Sequence, residues 1–132
     1  MTPAEELTAA ADRLDALIRQ ATYGPWETAR EIDGYRADRW TVVRARGKRI
    51  VTVDQTRVHH DGNGMAEANV AYIAAMNPLV GKALADWLRV EARRYAKNPP
   101  NVQDFFAGDI EGEEGELDYC VRIARLINGS ES

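Results

Sequence analysis

Residues 40–58 read WTVVRARGKRIVTVDQTRV, in which two β-branched runs lie on either side of a basic segment that contains a glycine. Residues of these types favour extended strands, and a glycine between two such runs is typical of a tight turn. The stretch therefore predicts a β-hairpin. With Gly47 and Lys48 as the two turn residues, we expect Val42 and Val51 to share one face of the hairpin.

Helical patterns lie on both sides of the hairpin. Residues 2–5, Thr-Pro-Ala-Glu, combine an N-cap, a proline at the first helical position and a glutamate three residues after the cap. They predict a helix that runs to about Gln20. Asn77 and Pro78 are expected to join two further helices, the second of which carries Trp87 on its buried side. Residues 116–128 predict a last helix.

These elements predict one α+β domain over residues 1–132, in which a small antiparallel sheet built on the 40–58 hairpin is covered on one face by about four helices. No apolar stretch is long enough for a membrane span, and the acidic start is unlike a signal peptide. Cys120, the only cysteine, has no partner for an internal disulfide. We therefore expect a cytoplasmic protein that has no membrane association. The oligomeric state is left open.

The charge is unevenly distributed, with a net −6 over residues 98–132 and a net +3 over residues 27–60. Residues 98–115 show no helical or strand period, and they predict an irregular acidic loop around two phenylalanines. We expect these rings to be aromatic anchors, ringed by charge, that a partner protein buries. The alternative is that both rings fold back as a lid on the helices. The predicted protein-binding residues are Phe105, Phe106, Asp109, Glu111, Glu113 and Glu114.

The basic end of the hairpin offers a second hypothesis, binding of a nucleotide or a nucleic acid. Four cations near the turn could hold phosphates, and the Gly-Asn-Gly turn at 62–64 precedes a helix, where backbone amides can hold an anion. A complete phosphate-loop or dinucleotide motif is lacking. The predicted anion-binding residues are Arg44, Arg46, Lys48, Arg49, Gly62 and Gly64.

Catalysis and metal binding are weakly supported by the sequence. His59, His60 and Asp61 are adjacent, and adjacent residues of an extended chain point to opposite faces, so they do not form a ligand set. Glu67 is the nearest further carboxylate, and no nucleophile lies close by in sequence. We therefore expect no metal, no cofactor and no enzymatic activity.

Two strings carry a resemblance: residues 21–26, Ala-Thr-Tyr-Gly-Pro-Trp, and residues 69–78, Asn-Val-Ala-Tyr-Ile-Ala-Ala-Met-Asn-Pro, which lead into Leu84 and Trp87. They resemble uncharacterised small proteins of actinobacteria and their phages, which have a Thr-Pro-Gly-Pro-Trp-type turn and an Asn-Pro helix corner. Tyr23 departs from that turn. The Ead-like accessory proteins of lambdoid phages are more loosely similar. The resemblance spans about residues 8–88.

The resemblance implies a phage or prophage accessory protein, and it brings no catalytic residues. Together with the acidic segment, it predicts a non-enzymatic protein that binds a host or defence component and thereby occupies or inhibits it. Such a protein would act in the cytoplasm of the bacterial host.

Overall fold

The structure, a computed structural model, describes residues 1–33, 38–54, 63–108 and 117–130. Its elements are α1 (Pro3–Gln20), β1 (Trp26–Asp33), β2 (Asp38–Ala45), β3 (Lys48–Asp54), α2 (Asn63–Ala75), α3 (Pro78–Ala96), α4 (Pro100–Ala107) and α5 (Tyr119–Asn128). The predicted α+β class and the antiparallel sheet are confirmed. The chain divides into two compact units, residues 21–80 and residues 1–20 with 81–132. The expectation of a single domain stays a prediction.

The unit of residues 21–80 contains a three-stranded sheet in the order β1-β2-β3, with both neighbouring pairs antiparallel. Helix α2 packs on this sheet, and a small core forms between them around Val43, Val70 and Ala74. The predicted number of about four helices is roughly consistent with the five that the described residues contain, of which α1, α4 and α5 belong to the other unit. Their apolar faces bury against one another.

The hairpin turn differs by one residue from the sequence prediction. Arg46 and Gly47 are the turn residues, with φ values of 52° and 75°, and Ala45 pairs with Lys48 across the turn. Positive φ at both central positions is the geometry of a type I′ turn, which matches the twist of the flanking strands. Arg46 therefore sits in the left-handed region, and the predicted Gly47-Lys48 turn is wrong.

A β-bulge next to the turn corrects the predicted faces. The register shifts between Val43 and Arg44, so that Val43 pairs with Val51 and Arg44 pairs with Arg49. The extra residue, Ile50, packs with Val51 against the Val43 core. Val42 pairs with Thr52 instead and lies on the opposite face from Val51, because a one-residue slip exchanges the two faces.

The corner before β1 is anchored by an indole ring. The Trp26 Nε1–H donates a hydrogen bond to the carbonyl of Thr22 at 2.9 Å, and the ring packs against the sheet core. Gly24 is buried and has a φ of 111°, which an L side chain rarely adopts. Glycine at this position therefore allows the tight turn that leads into β1.

The other unit is built from α1, α4, α5 and most of α3. Its core is rich in small residues, which let the helices approach closely. The fully buried members with the largest side chains are Leu7, Leu88 and Val121. The predicted capping box of α1 is confirmed: the Glu5 amide donates to Thr2 Oγ1 at 3.2 Å, and the Thr2 amide donates to Glu5 Oε2 at 2.8 Å.

Helix α3 begins at the predicted Asn-Pro corner. The Asn77 side-chain oxygen accepts from the Leu79 amide at 2.9 Å, and its amide group donates to the Ala74 carbonyl at 3.1 Å. The buried stripe of α3 contains Ala85, Leu88, Ala92 and Tyr95. The expectation of a buried Trp87 is wrong: this residue is 39% exposed and is not a member of that stripe.

The predicted irregular loop at 98–115 is wrong in its first half, where residues 100–107 form helix α4. Pro100 stands in the first turn, where its missing N–H would have no helical partner anyway. Gly108 ends the helix in the left-handed conformation with a φ of 79°. Among the described residues, no helix is long and apolar enough to cross a membrane.

Candidate binding sites

Two side chains on α4, Phe105 and Phe106, form an exposed aromatic pair. Phe105 is 62% exposed and Phe106 is 58% exposed, and the rings meet edge to face with centroids 5.9 Å apart. This is the favoured geometry for two aromatic rings, whose negative faces attract positive edges. The pair therefore stands out from the helix as a preformed apolar surface, and the rings do not fold back as a lid.

The opposite side of α4 is held firmly by Gln103, a glutamine that is only 5% exposed. Its side-chain oxygen accepts from the Ala4 amide at 3.1 Å, and its side-chain nitrogen donates to the Asn98 carbonyl at 2.8 Å. Ala107 is fully buried, and its carbonyl accepts from the Asp118 amide at 2.9 Å. Buried hydrogen bonds of this kind fix the orientation of the helix that carries the aromatic pair.

Phe106 also lines a cleft of about 470 Å³ at the end of α3. Its polar members include Lys97, Asn98 and Asp118. Arg94 and Glu91, on the same side, form an ion pair with Nη1 and Oε2 2.8 Å apart. The exposed ring thus borders a polar cleft that contains groups of both charges.

A buried hydrogen-bonded group lies at the base of this cleft. The Tyr95 hydroxyl donates to Asp118 Oδ2 at 2.5 Å. Burial raises the pKa of Tyr95 above its ordinary value, and the bond to the Asp118 carboxylate adds to the shift. Burial, followed by the charge of Asp118, raises the pKa of the Cys120 thiol to about 12. Cys120 is therefore a protonated core residue and a poor nucleophile.

The predicted basic residues lie around the turn of the β2–β3 hairpin. Arg46, Lys48 and Arg49 are exposed, and Arg44 is half-buried. The Arg46 guanidinium lies 5.7 Å from the centroid of the Tyr23 ring, within the range of a cation–π interaction. The sequence prediction missed Tyr23, whose ring the corner before β1 places beside the turn.

Of the remaining residues that the sequence analysis singled out, the structure describes only Gly64 and Glu67. Gly64 and Glu67 lie in the first turns of α2. His59, His60, Asp61 and Gly62 fall outside the described residues, as do the acidic residues Asp109, Glu111, Glu113 and Glu114. Across the described ranges, no three His, Cys, Asp or Glu side chains come together as a possible metal site.

Comparison of the chain with protein-family models, with curated proteins and with solved structures gives no match. The resemblance to phage and actinobacterial proteins therefore stays a prediction.

Proposed function

We propose that this protein is a non-enzymatic binding protein that captures a partner protein through Phe105 and Phe106. The observation that carries the proposal is the exposure of two neighbouring rings, each more than half open to solvent, on a helix that Gln103 holds from below. Aromatic anchors on a rigid helix are typical of the energetic centre of a protein interface. The proposed biological role is that of a phage-type accessory factor that occupies or inhibits a host or defence component.

The exposed part of the two rings is large enough to matter for binding. Two phenylalanines at these exposures present on the order of 240 Å² of apolar surface to a partner. Its burial contributes roughly 6 kcal/mol before the entropic cost of association. The pair can therefore supply much of the energy of a micromolar complex.

The charge that follows the pair in the sequence indicates what kind of partner fits. In the sequence, residues 109–116 follow α4 directly and include five acidic residues and no basic ones. A partner segment that places lysine or arginine beside an apolar anchor complements this composition, and charge of opposite sign speeds association. The proposed partner is therefore a basic protein segment with an apolar residue that packs against the two rings in the complex.

The test uses the full chain and a displayed random peptide library as the probe. We expect the wild-type protein to enrich peptides that combine an apolar anchor with lysine or arginine, and the Phe105→Ser/Phe106→Ser variant to enrich none of them. Tyr72→Ser, which removes an exposed ring from α2, is the matched control and keeps the enrichment. Both changes are at exposed positions, so urea unfolding should show stabilities within about 0.5 kcal/mol of the wild type.

Two results would contradict the proposal. The first is enrichment that the double substitution leaves unchanged. The second is a dimer, seen by sedimentation of the wild type and lost in the double variant, because the rings would then be covered by a second copy of the chain. Capture from a bacterial lysate, read by mass spectrometry with the same variants, then identifies the partner.

A further inference from the structure

The end of the β2–β3 hairpin concentrates positive charge. Arg44 pairs with Arg49 across the strands, Lys48 follows the turn, and Arg46 occupies the turn itself. Four cations thus fall within six residues of chain. Such a density of exposed and half-exposed positive charge attracts a polyanion, and each phosphate neutralised releases condensed counterions.

Acidic residues of the sheet lie mainly at its other end. Asp33 pairs with Asp38 where β1 meets β2, and Asp54 is the last residue of β3. Glu27, opposite Arg44, is the acidic residue at the turn end of the described strands. Within the described strands, the turn end therefore carries more basic than acidic residues, although the whole chain has a net charge of −4.

An aromatic ring stands beside these cations. Tyr23 is 62% exposed, and the Arg46 guanidinium lies 5.7 Å from its centroid. The pairing of Trp26 with Ala45 fixes the corner next to the turn, and a Cβ on Gly24 would lie 3.8 Å from Arg46 Nε. The ring is thus held close to the charges by the backbone, while more than half of it faces solvent.

We propose that Tyr23 and the basic hairpin end form a binding platform for single-stranded nucleic acid. Phosphates of the strand lie against Arg46 and Lys48, with Arg44 and Arg49 adding to the local field, and an unpaired base stacks on the exposed Tyr23 ring. Cationic grooves and aromatic stacking surfaces are the two parts that binding of single strands requires. A duplex keeps its bases stacked inside and cannot use the ring. The platform lies in the unit of residues 21–80, and it does not depend on the proposed role of Phe105 and Phe106.

The number of phosphates that the platform neutralises determines how strongly its affinity depends on salt. If two to four phosphates are neutralised, the slope of log K against log salt lies between about −1.4 and −2.8 for a single strand. Between 50 mM and 200 mM salt the affinity then falls roughly 7- to 50-fold. A small anion such as free phosphate gains neither the stacking nor the multiple charges.

The experiment measures fluorescence anisotropy of labelled oligothymidylate and oligouridylate of about 20 nucleotides, longer than one such platform occupies. A duplex of the same length is the third probe. We expect both single strands to bind more tightly than the duplex, and the better of the two identifies DNA or RNA as the preferred source. Tyr23→Leu should weaken single-strand binding about fivefold or more, while Tyr23→Phe, which keeps the ring, should bind like the wild type.

Arg46→Asn tests the charge without disturbing the turn. Asn-Gly is a favoured pair for a type I′ turn, so the unfolding midpoint of this variant should equal or exceed that of the wild type. We expect affinity to fall about fivefold and the salt slope to become shallower by about 0.7. Arg122→Ala, which removes an exposed charge from α5, is the matched control and leaves binding unchanged.

Three results would overturn the platform: no single-strand binding at 50 mM salt, equal affinity for duplex and single strand, or unchanged binding by Tyr23→Leu. A loss of binding in Arg122→Ala equal to that in Arg46→Asn would also overturn it, because the effect would then be one of overall charge. The double substitution of Phe105 and Phe106 should leave all three affinities unchanged, which separates this platform from the proposed protein-binding surface.

Discussion

At the scale of single residues, the Asp118 carboxylate stabilises the protonated forms of two neighbours. It accepts a hydrogen bond from the Tyr95 hydroxyl, and its negative charge disfavours the thiolate form of Cys120. Both neighbours are buried, and burial is the main cause of both raised pKa values. The folded protein therefore holds two protons that the unfolded chain releases in alkaline solution.

This difference predicts alkaline destabilisation. Because the pKa of the thiol is about 9 in the unfolded chain, the folded state keeps its whole stability below about pH 9. The contribution of the thiol is then lost as the pH rises toward about 12, its pKa in the folded protein. The free energy of unfolding should fall by up to about 1.4 kcal/mol per pH unit for each group. Urea unfolding between about pH 8 and pH 11 measures the slope.

A substitution isolates the thiol. Cys120→Ala should make the fall of the unfolding free energy with pH shallower, because only Tyr95 then holds a proton that the unfolded chain releases. Val121→Ala is the control: it lowers stability at every pH by a similar amount, since it removes apolar contacts and no proton. An alkaline slope that Cys120→Ala leaves unchanged would contradict the assignment.

At the scale of elements, α4 depends on one buried amide side chain. Gln103→Ala removes the acceptor of the Ala4 amide and the donor to the Asn98 carbonyl, so we expect it to lower the free energy of unfolding by about 2 kcal/mol. Hydrogen exchange of the Phe105 and Phe106 amides should become faster. Asp104→Ala, at an exposed neighbouring position, should change neither quantity, and equal effects of the two substitutions would argue against the anchor.

Elements with strong local signals could be predicted from the sequence. The Thr2–Glu5 capping box and the Asn77-Pro78 corner both satisfy free backbone amides within four residues, so local sequence determines them. The hairpin turn was misplaced because Gly47 fits either position of a two-residue turn, and the strand register decides between them. Helix α4 was missed because Pro99 and Pro100 stop a helix as readily as they start one.

The candidate sites, too, could be predicted only where their signal is local in the sequence. Composition predicts Phe105 and Phe106 as anchors, which stays a prediction, but the helix that carries them is held by Gln103, whose partner Ala4 is distant in sequence. Tyr23 was missed because it lies about twenty residues before the cations that it joins. Pairing of β1 with β2 brings them together, and no local pattern reports that pairing.

At the scale of the whole molecule, the two proposed surfaces lie in different compact units. Sites without shared partners usually contribute additively. A variant that combines Tyr23→Leu with Phe105→Ser/Phe106→Ser should therefore lose peptide binding and single-strand binding by the same factors as the separate variants. The two affinities, measured on all three proteins, test this. A combined loss more than threefold different from the product of the separate losses would indicate coupling.

The tryptophans offer a practical consequence of this division. Trp26 is half-buried in the unit of residues 21–80, whereas Trp87 belongs to the helical unit and is partly open to water. Replacing Trp40 by phenylalanine leaves a single indole fluorophore in each unit. Emission wavelength and iodide quenching then follow the melting of the sheet and of the helices separately, with no label attached.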